Sequence, residues 1–377
     1  MRILHYVELY PVRSETFIKN LITQIGQKGI DNSLIINYST KEISESDVNY
    51  QLITYRRNIQ HFFRNRFFRF RKINNPKFLS EIKKANPDII HAHFGQNGIR
   101  IYQYLRKKNI TTPLIISLHG TDLINIKENK TLNRIFSQVL MNRRVFIIVP
   151  SKFLHESVLS LGGAPERIYV IPSAVHKMFE NNRAKRLLTE FRITNIGRFI
   201  PLKGQLNLID AFYQVNKIHP DIKMKIVGYG NLETALNDRV AQLGISDKVQ
   251  VISSAGPNQV KDILNETDLY IQPSILGSFG ERENLAVSVL EAQMSGCPCI
   301  VSEIGGLPET IENNFTGMLV EPGSVADLTS SIIRYIEDES LWISHATNSK
   351  LNAMQKFSES KVYQQVIDLY TDIIGTP

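Results

Sequence analysis

Short apolar runs rich in Val and Ile alternate along the chain with stretches whose apolar residues recur every three or four positions. Runs of the first kind are strand-length and near-continuous, as expected of strands covered on both faces, and the second kind reads as amphipathic helix. The first half places strands at 2–7, 33–37, 88–93, 113–119, 145–149 and 168–171. The second half places them at 192–196, 223–227, 249–252, 269–272, 299–301 and 317–320. Helical periodicity fills the gaps, as at 205–218, where Leu208, Ile209, Phe212 and Val215 form one stripe. This alternation predicts an α/β fold with parallel sheets. The weakly periodic stretch 172–182 divides the strands into two series. It predicts two doubly wound, Rossmann-like domains, 1–175 and 183–355, whose sheet ends can face a central cleft. Residues 356–377 continue as a terminal helix expected to cross back to the first domain.

Composition narrows the class. A chain of 377 residues suits two cores, and 42% hydrophobic with 21% charged residues is the balance of a soluble globular protein. The N-terminus reads as a first strand, and no apolar run reaches the length that crosses a bilayer. Cys297 and Cys299 have no second Cys or His pair in sequence to complete a metal set, and they read as a buried strand start in a reducing compartment. Net charge is +14 over residues 1–180 and −6 over 181–377, so the first domain is the one expected to meet an anionic partner. Residues 56–72 interleave Arg and Phe. One helical arrangement sets Arg64, Phe67 and Arg71 against an anionic membrane surface. A buried aromatic face with a basic rim is the plain alternative. Nucleic acid is not expected as a partner, because no recognised motif accompanies the charge.

Polar residues of chemical interest gather where strands end. In NIGRFIPLKG (195–204) a strand turns at Gly197, and Arg198 and Lys203 flank the loop before the next helix. Two cations beside a helix N-terminus can converge on a diphosphate; two solvated side chains on a loop is the bland alternative. Further on, Glu283 and Glu291 stand in E-x(7)-E spacing, with a helix expected to start near Asn284–Ala286 and to aim free N–H groups at a phosphate. Glu291 follows an apolar run, and a carboxylate there can accept both hydroxyls of a ribose; an incidental pair of helix carboxylates is the alternative. GYGN (228–231) lacks the third Gly of a dinucleotide fingerprint, which disfavours hydride transfer. His91 and His93 alternate and share a strand face, as a metal pair or as packing and substrate contacts, while His5 reads as structural or cleft-lining.

In register, G-R-x(4)-K-G at 197–204, IVGYG at 226–230, E-x(7)-E at 283–291, EAQMSGCPCIVS at 291–302 and GGLPE at 305–309 resemble the donor-binding half of a known family. That family is the large retaining glycosyltransferase family four, with the GT-B fold. SLHGTD (117–122) and residues 149–175 carry the likeness into the first domain. PVRSETFIKNLI (11–22) and DIIHAHFG (88–95) are similar to its subgroup that builds bacterial exopolysaccharides, colanic-acid-type transferases included. The resemblance implies transfer of a sugar, with retention, from a UDP- or GDP-linked donor to a growing glycan on a lipid diphosphate. It implies a cytoplasmic enzyme, peripheral at the inner face of the membrane. A soluble acceptor, or a catalytically silent sugar-nucleotide-binding protein, is the alternative.

By the same resemblance, Arg198 and Lys203 would neutralise the diphosphate, Glu291 would hold the ribose and Glu283 the sugar hydroxyls. Gly197, Gly228, Asn284 and Leu285 would line the donor, and His119 would lie near the donor sugar. Glu15, Thr16, His93 and Asp122 would face the acceptor or cleft. No metal or other cofactor is implied. Two segments depart from the family pattern: Asn284 and Ala286 stand where Gly and then Pro or Gly are usual, and Ser173-Ala174-Val175-His176 where N-G-V-D is usual.

Overall fold

The computed structural model describes residues 1–10, 16–39, 51–54, 76–181, 190–278 and 280–375. They separate into two compact units, Met1–Ile171 with Tyr363–Pro377, and Pro172–Val362. No helix among the described residues is long and apolar enough to cross a membrane.

The first unit is built on a parallel sheet of β1 (Arg2–Tyr10), β2 (Asp31–Ser39), β3 (Gln51–Thr54), β4 (Ile89–His93), β5 (Leu114–Ser117), β6 (Val145–Val149) and β7 (Ile168–Val170). Their spatial order is β3-β2-β1-β4-β5-β6-β7. Helices α1 (Thr16–Gln27), α2 (Pro76–Ala85), α3 (Gly95–Lys107), α4 (Thr121–Glu128), α5 (Lys130–Met141) and α6 (Lys152–Leu159) connect them. Leu4 and Tyr6 of β1 pack with Ile90, Ile116 and Ile147 on one face, whereas Val7 packs with Ile18 and Ile22 of α1 on the other. Two-sided burial explains why the strands read as continuous apolar runs. An Ile→Ala change in β4 would cost about 2–5 kcal/mol. β3 is the strand the apolar pattern misses: it has four residues and pairs with β2 at the sheet edge, so nothing demands a long buried run there.

The second unit holds β8 (Phe191–Ile196), β9 (Ile222–Gly228), β10 (Val249–Ser253), β11 (Leu269–Gln272), β12 (Cys299–Ser302) and β13 (Gly317–Val320). They are parallel, in the order β10-β9-β8-β11-β12-β13. Its helices are α7 (Gln205–Asn216), α8 (Glu233–Gln242), α9 (Pro257–Asn265), α10 (Val287–Met294), α11 (Val325–Glu337) and α12 (Glu339–Lys356). A last helix, α13 (Glu359–Gly375), groups with the first unit from Tyr363 onward. Leu208, Ile209 and Phe212 of α7 cover one face of the sheet against Ile193, Leu269 and Ile271. Val289 and Leu290 of α10 cover the other against Tyr270 and Cys299. Both cysteines are buried free thiols in that second cluster.

In each sheet the strand order reverses beside its first strand, between β1 and β4 and again between β8 and β11. At such a switch point neighbouring connections leave on opposite sides, and a crevice opens beyond the carboxyl ends of the strands. Those residues singled out for chemistry that lie among the described residues are found at or near these two places.

Candidate active site

At the second switch point the chain leaves β8 at Ile196, turns at Gly197 and exposes Arg198. It then winds through a short 3-10 turn, Pro201–Lys203, and enters α7 at Gly204. Gly204 has φ +63°, and a Cβ there would overlap the carbonyl of Pro273 just past β11. Glycine therefore lets the loop press against the neighbouring strand end. That approach delivers Lys203, whose Nζ lies 2.6 Å from Glu283 Oε2, with the two side chains only 11% and 14% exposed. Glu283 is fixed in turn, because its carbonyl accepts the Gly306 N–H at 2.9 Å. Gly305, at φ +59°, packs on the same carbonyl where a Cβ would not fit. The glycines of two distant motifs thus bring a buried cation and anion together. Gly228, at the end of β9, lies equally close to the Gly197 carbonyl.

Beyond Glu283, Asn284 and Leu285 lead to α10, which starts at Val287. This is later than the sequence suggests, because Leu285 and Ala286 are buried in the second cluster and Ala286 is extended at φ −80°, ψ 112°. Ala286 is the N-cap and supplies no side-chain acceptor, so no N-cap side chain takes up the helix's first N–H groups. Glu291 follows on the second turn, half-buried, and burial pushes its carboxyl pKa up to about 8. Among the described residues neither the Glu291 carboxyl nor the Arg198 guanidinium has a hydrogen-bond or ion-pair partner. The switch point therefore offers an unpaired cation suited to a phosphate and an unpaired carboxyl suited to hydroxyl donors.

The first switch point is built differently. His5 of β1 is paired in register with His91 of β4, and His93 follows two residues on, so the three rings share one face. All three are buried. His5 Nδ1 lies 3.2 Å from His93 Nε2, while His91 meets Ser117 Oγ at 2.7 Å and Tyr370 OH at 2.6 Å. Burial lowers every pKa in the trio, that of His5 to about 4, so at neutral pH the cluster is uncharged. Ring nitrogens of the three lie within 4.8 Å of one another. However, the His5–His93 and His91–His93 pairs stack, and both nitrogens of His91 are engaged. Stacked rings direct their lone pairs along near-parallel planes and not at one point, a poor match to tetrahedral ligation.

Asp122 Oδ1 accepts the N–H groups of His119 at 3.0 Å, Gly120 at 2.9 Å and Leu123 at 3.1 Å, and its Oδ2 accepts Gly95 N–H at 2.8 Å. The carboxylate is occupied with backbone and holds the turn that carries His119. The His119 ring sits between Phe17 and Phe94, with centroids 4.7 Å away on each side. Its pKa is lowered by burial, and its Nε2 has no partner among the described residues. Of the residues expected to face the acceptor or cleft, His93 and Asp122 are both buried, one in the imidazole stack and one under the backbone.

The family model described as glycosyl transferases group 1 matches residues 178–369. This chain belongs to that family. A second model, described as glycosyltransferase family 4, matches residues 14–177. Among relatives of this glycosyltransferase, the amylovoran biosynthesis glycosyltransferase of Erwinia amylovora is 24% identical over 287 residues, 75% of this chain and 69% of that one. The UDP-Gal:alpha-D-GlcNAc-diphosphoundecaprenol alpha-1,3-galactosyltransferase of Escherichia coli is 26% identical over 311 residues, 78% and 77% of the two chains. Among solved structures, Anabaena HepE in complex with UDP matches with a TM-score of 0.78 at 18% identity, over 99% of this chain and 100% of that one. The likeness in structure shows a shared fold, the two Rossmann-like domains of GT-B.

In this glycosyltransferase, Gly197, Arg198, Lys203, Gly228, Glu283, Asn284, Leu285 and Glu291 all belong to the second unit, and His93, His119 and Asp122 to the first. Glu15, Arg64, Phe67 and Arg71 lie outside the described residues, as does the side chain of Thr16. The Lys203–Glu283 pair and Ser274, whose Oγ donates to Glu283 Oε2 at 3.3 Å, were not foreseen. An open groove of about 620 Å³, lined by residues such as Lys223, Lys225 and Glu266, lies at the amino ends of β8, β9 and β10 instead. Lys225 pairs there with Glu266, and Lys223 donates to Asp247 O. Those cations are engaged at the end of the sheet where such folds do not bind ligands.

Proposed function

We propose that this glycosyltransferase moves a sugar from a UDP- or GDP-linked donor to a growing bacterial surface polysaccharide held on a lipid diphosphate, with retention and without a metal. The reading is carried by the second switch point, where Arg198, the Lys203–Glu283 pair and the first turn of α10 gather at the carboxyl ends of β8 and β11. A departing diphosphate builds negative charge, and fixed cations with backbone N–H groups stabilise it. Here Arg198 and Lys203 hold the diphosphate, Glu291 accepts the ribose hydroxyls and Glu283 meets the sugar. The relatives support the acceptor class, one being named for amylovoran biosynthesis and another for a diphosphoundecaprenol-linked substrate. HepE bound to UDP supports a nucleotide donor. The basic bias of residues 1–180 suits attraction to an anionic membrane that carries such an acceptor.

A thermal-shift screen of UDP-, GDP- and ADP-sugars tests the donor, because a bound donor raises the melting temperature by mass action. Transfer from the stabilising donor is then measured to an undecaprenyl-diphosphate-linked glycan and to soluble sugars, with and without chelator. We expect transfer to the lipid-linked glycan with anomeric configuration kept, unchanged by chelator. Donor binding with no turnover on any acceptor would reduce the protein to a silent binder. Stabilisation by none of the sugars would remove the reading.

A further inference from the structure

Strand β11 and its extension carry polar side chains inside a sheet covered on both faces. Leu269 and Ile271 point to the cluster under α7, while Tyr270 points to the cluster under α10, and Gln272 and Ser274 follow it at the same two-residue spacing. All three are fully buried. Burying hydroxyls and an amide is costly unless each is hydrogen-bonded, and here they bond to one another and to their neighbours. Gln272 Nε2 donates to Ser274 Oγ at 2.9 Å and Ser274 Oγ donates to Glu283 Oε2 at 3.3 Å, while the single Tyr270 hydroxyl proton is shared among Ser288 Oγ at 2.7 Å, Ile196 O at 3.1 Å and Gln272 Oε1 at 3.2 Å. Glu283 Oε2 is the oxygen that holds Lys203 Nζ.

The other end of the ladder also meets donor-site elements. The Tyr270 oxygen accepts the Ile196 N–H at 3.4 Å and its hydroxyl donates to Ser288 Oγ at 2.7 Å, which in turn donates to Ile196 O at 3.1 Å. Ile196 is the residue before Gly197–Arg198, and Ser288 lies in the first turn of α10. One buried hydroxyl therefore ties the loop that carries the cations to the helix start.

We propose that Tyr270, Gln272 and Ser274 form a positioning ladder for sugar transfer, setting the Glu283 carboxylate, and through it Lys203, without touching the donor. The proposal rests on reading the second switch point as the donor site. Aligned hydrogen-bond dipoles strengthen one another, and a cation already fixed in place needs no reorganisation as charge develops on the diphosphate.

The test uses the full chain with Ser274→Ala, Ser274→Thr and Tyr270→Phe, and the Tyr270→Phe/Ser274→Ala double variant. UDP and GDP are titrated by calorimetry, and release of nucleoside diphosphate is followed from UDP-glucose, UDP-galactose and GDP-mannose. We expect Ser274→Ala to lower kcat about tenfold, the effect of losing a hydrogen bond to a charged group, with acceptor KM unchanged. Ser274→Thr, which keeps the hydroxyl, restores most of the rate. The double variant is no slower than Ser274→Ala alone, since both changes break one chain. A purely structural ladder gives the opposite pattern: lower melting temperatures, unaltered kcat per folded molecule, and effects that add. That result overturns the proposal. If Ser274→Ala fails to fold, Tyr270→Phe carries the comparison, because Tyr270 contacts neither Glu283 nor Lys203. Wild-type turnover with both variants unimpaired overturns the ladder alone, whereas wild type that binds neither nucleotide and turns over none of the sugars overturns the donor site and the ladder together.

Discussion

The two switch points of this chain share a backbone plan and differ in charge. Between β1 and β4, the side chains are imidazoles stacked on one another, buried, and neutral because desolvation lowers their pKa. Between β8 and β11, they are a Lys–Glu pair, an exposed guanidinium and a carboxyl group without a partner among the described residues. Strand reversal fixes where polar residues can gather at a sheet end. Whether the gathered groups stay charged depends on what else is within reach. At the first site each imidazole finds another ring, Ser117 or Tyr370. At the second, Lys203 and Glu283 satisfy each other, and Arg198 and Glu291 have no hydrogen-bond or ion-pair partner among the described residues.

The sharpest way to break this contrast is to neutralise one charge. We expect Lys203→Ala to reduce sugar transfer about 10²–10³-fold, the usual consequence of removing one fixed group that stabilises a developing anion. Substitution at the first site, where the ring is already uncharged, should matter far less, and His5→Gln is expected to stay within about threefold of wild type per folded molecule. Nucleoside diphosphate release checks both. Similar losses from the two variants would mean that the histidine cluster is no mere scaffold.

Acid and base should act on the two sites with opposite sign. For His5, the folded pKa of about 4 lies below the ordinary 6.5, so the unfolded chain binds more protons as pH falls. Its contribution is complete above 6.5 and is lost on the way down to about 4, a change of about 3 kcal/mol. His91 and His93 shift in the same direction. Glu291 runs the other way: its folded pKa of about 8 lies above 4.5, so its environment favours folding at low pH and that advantage fades as pH rises through 8. Hydrogen exchange at pH 5, 7 and 8.5, corrected for intrinsic rates, should show β1 and β4 loosening in acid and the start of α10 loosening in base. Parallel loosening of both regions would defeat the comparison.

Glu291→Gln isolates the second half of that statement. Removing the ionisable group should raise the melting temperature of the unliganded protein at pH 8 by about 10 °C, equivalent to about 4 kcal/mol for a unit of this size. The same variant should bind nucleotide sugars more weakly, because an amide accepts hydroxyl protons less well than a carboxylate. A gain in stability with donor affinity unchanged would detach Glu291 from the ribose.

Much of this was legible in residue order, and the gaps have physical causes. Apolar runs located twelve strands, the edge strands β7, β10 and β13 among them; Gln51–Thr54 escaped because it is a four-residue edge strand with only Leu52 and Ile53 apolar. Alternation put His91 and His93 on one face, but His5 joins them only through the register of β1 on β4, which no local pattern encodes. Glycines marked the loops at 197–204 and 305–306, yet that Gly204 and Gly305 bring Lys203 onto Glu283 depends on backbone contacts between distant segments. Asp122 is placed at the acceptor or cleft by the resemblance alone, which says nothing of its hydrogen bonds. Its four backbone donors come from two loops that fold together. The spacing of Tyr270, Gln272 and Ser274 was there to be read as a polar stripe in an apolar strand.

Tyr370→Phe probes the smallest effect and the most local one. The Tyr370 hydroxyl meets His91 Nδ1 at 2.6 Å, both residues are buried, and Tyr370 lies in the part of α13 that groups with the first unit. Removing the hydroxyl keeps the ring and leaves one buried imidazole nitrogen without its partner, at a cost of about 1–3 kcal/mol. Because the imidazoles are neutral and their bonds hold the sheet to its covering helix, the loss should appear as faster amide exchange in α13 and β4. Transfer per folded molecule should be unaffected. If turnover fell while exchange stayed the same, His91 would be tuned for chemistry, and the neutral stack at the first switch point would be a working part of the transferase.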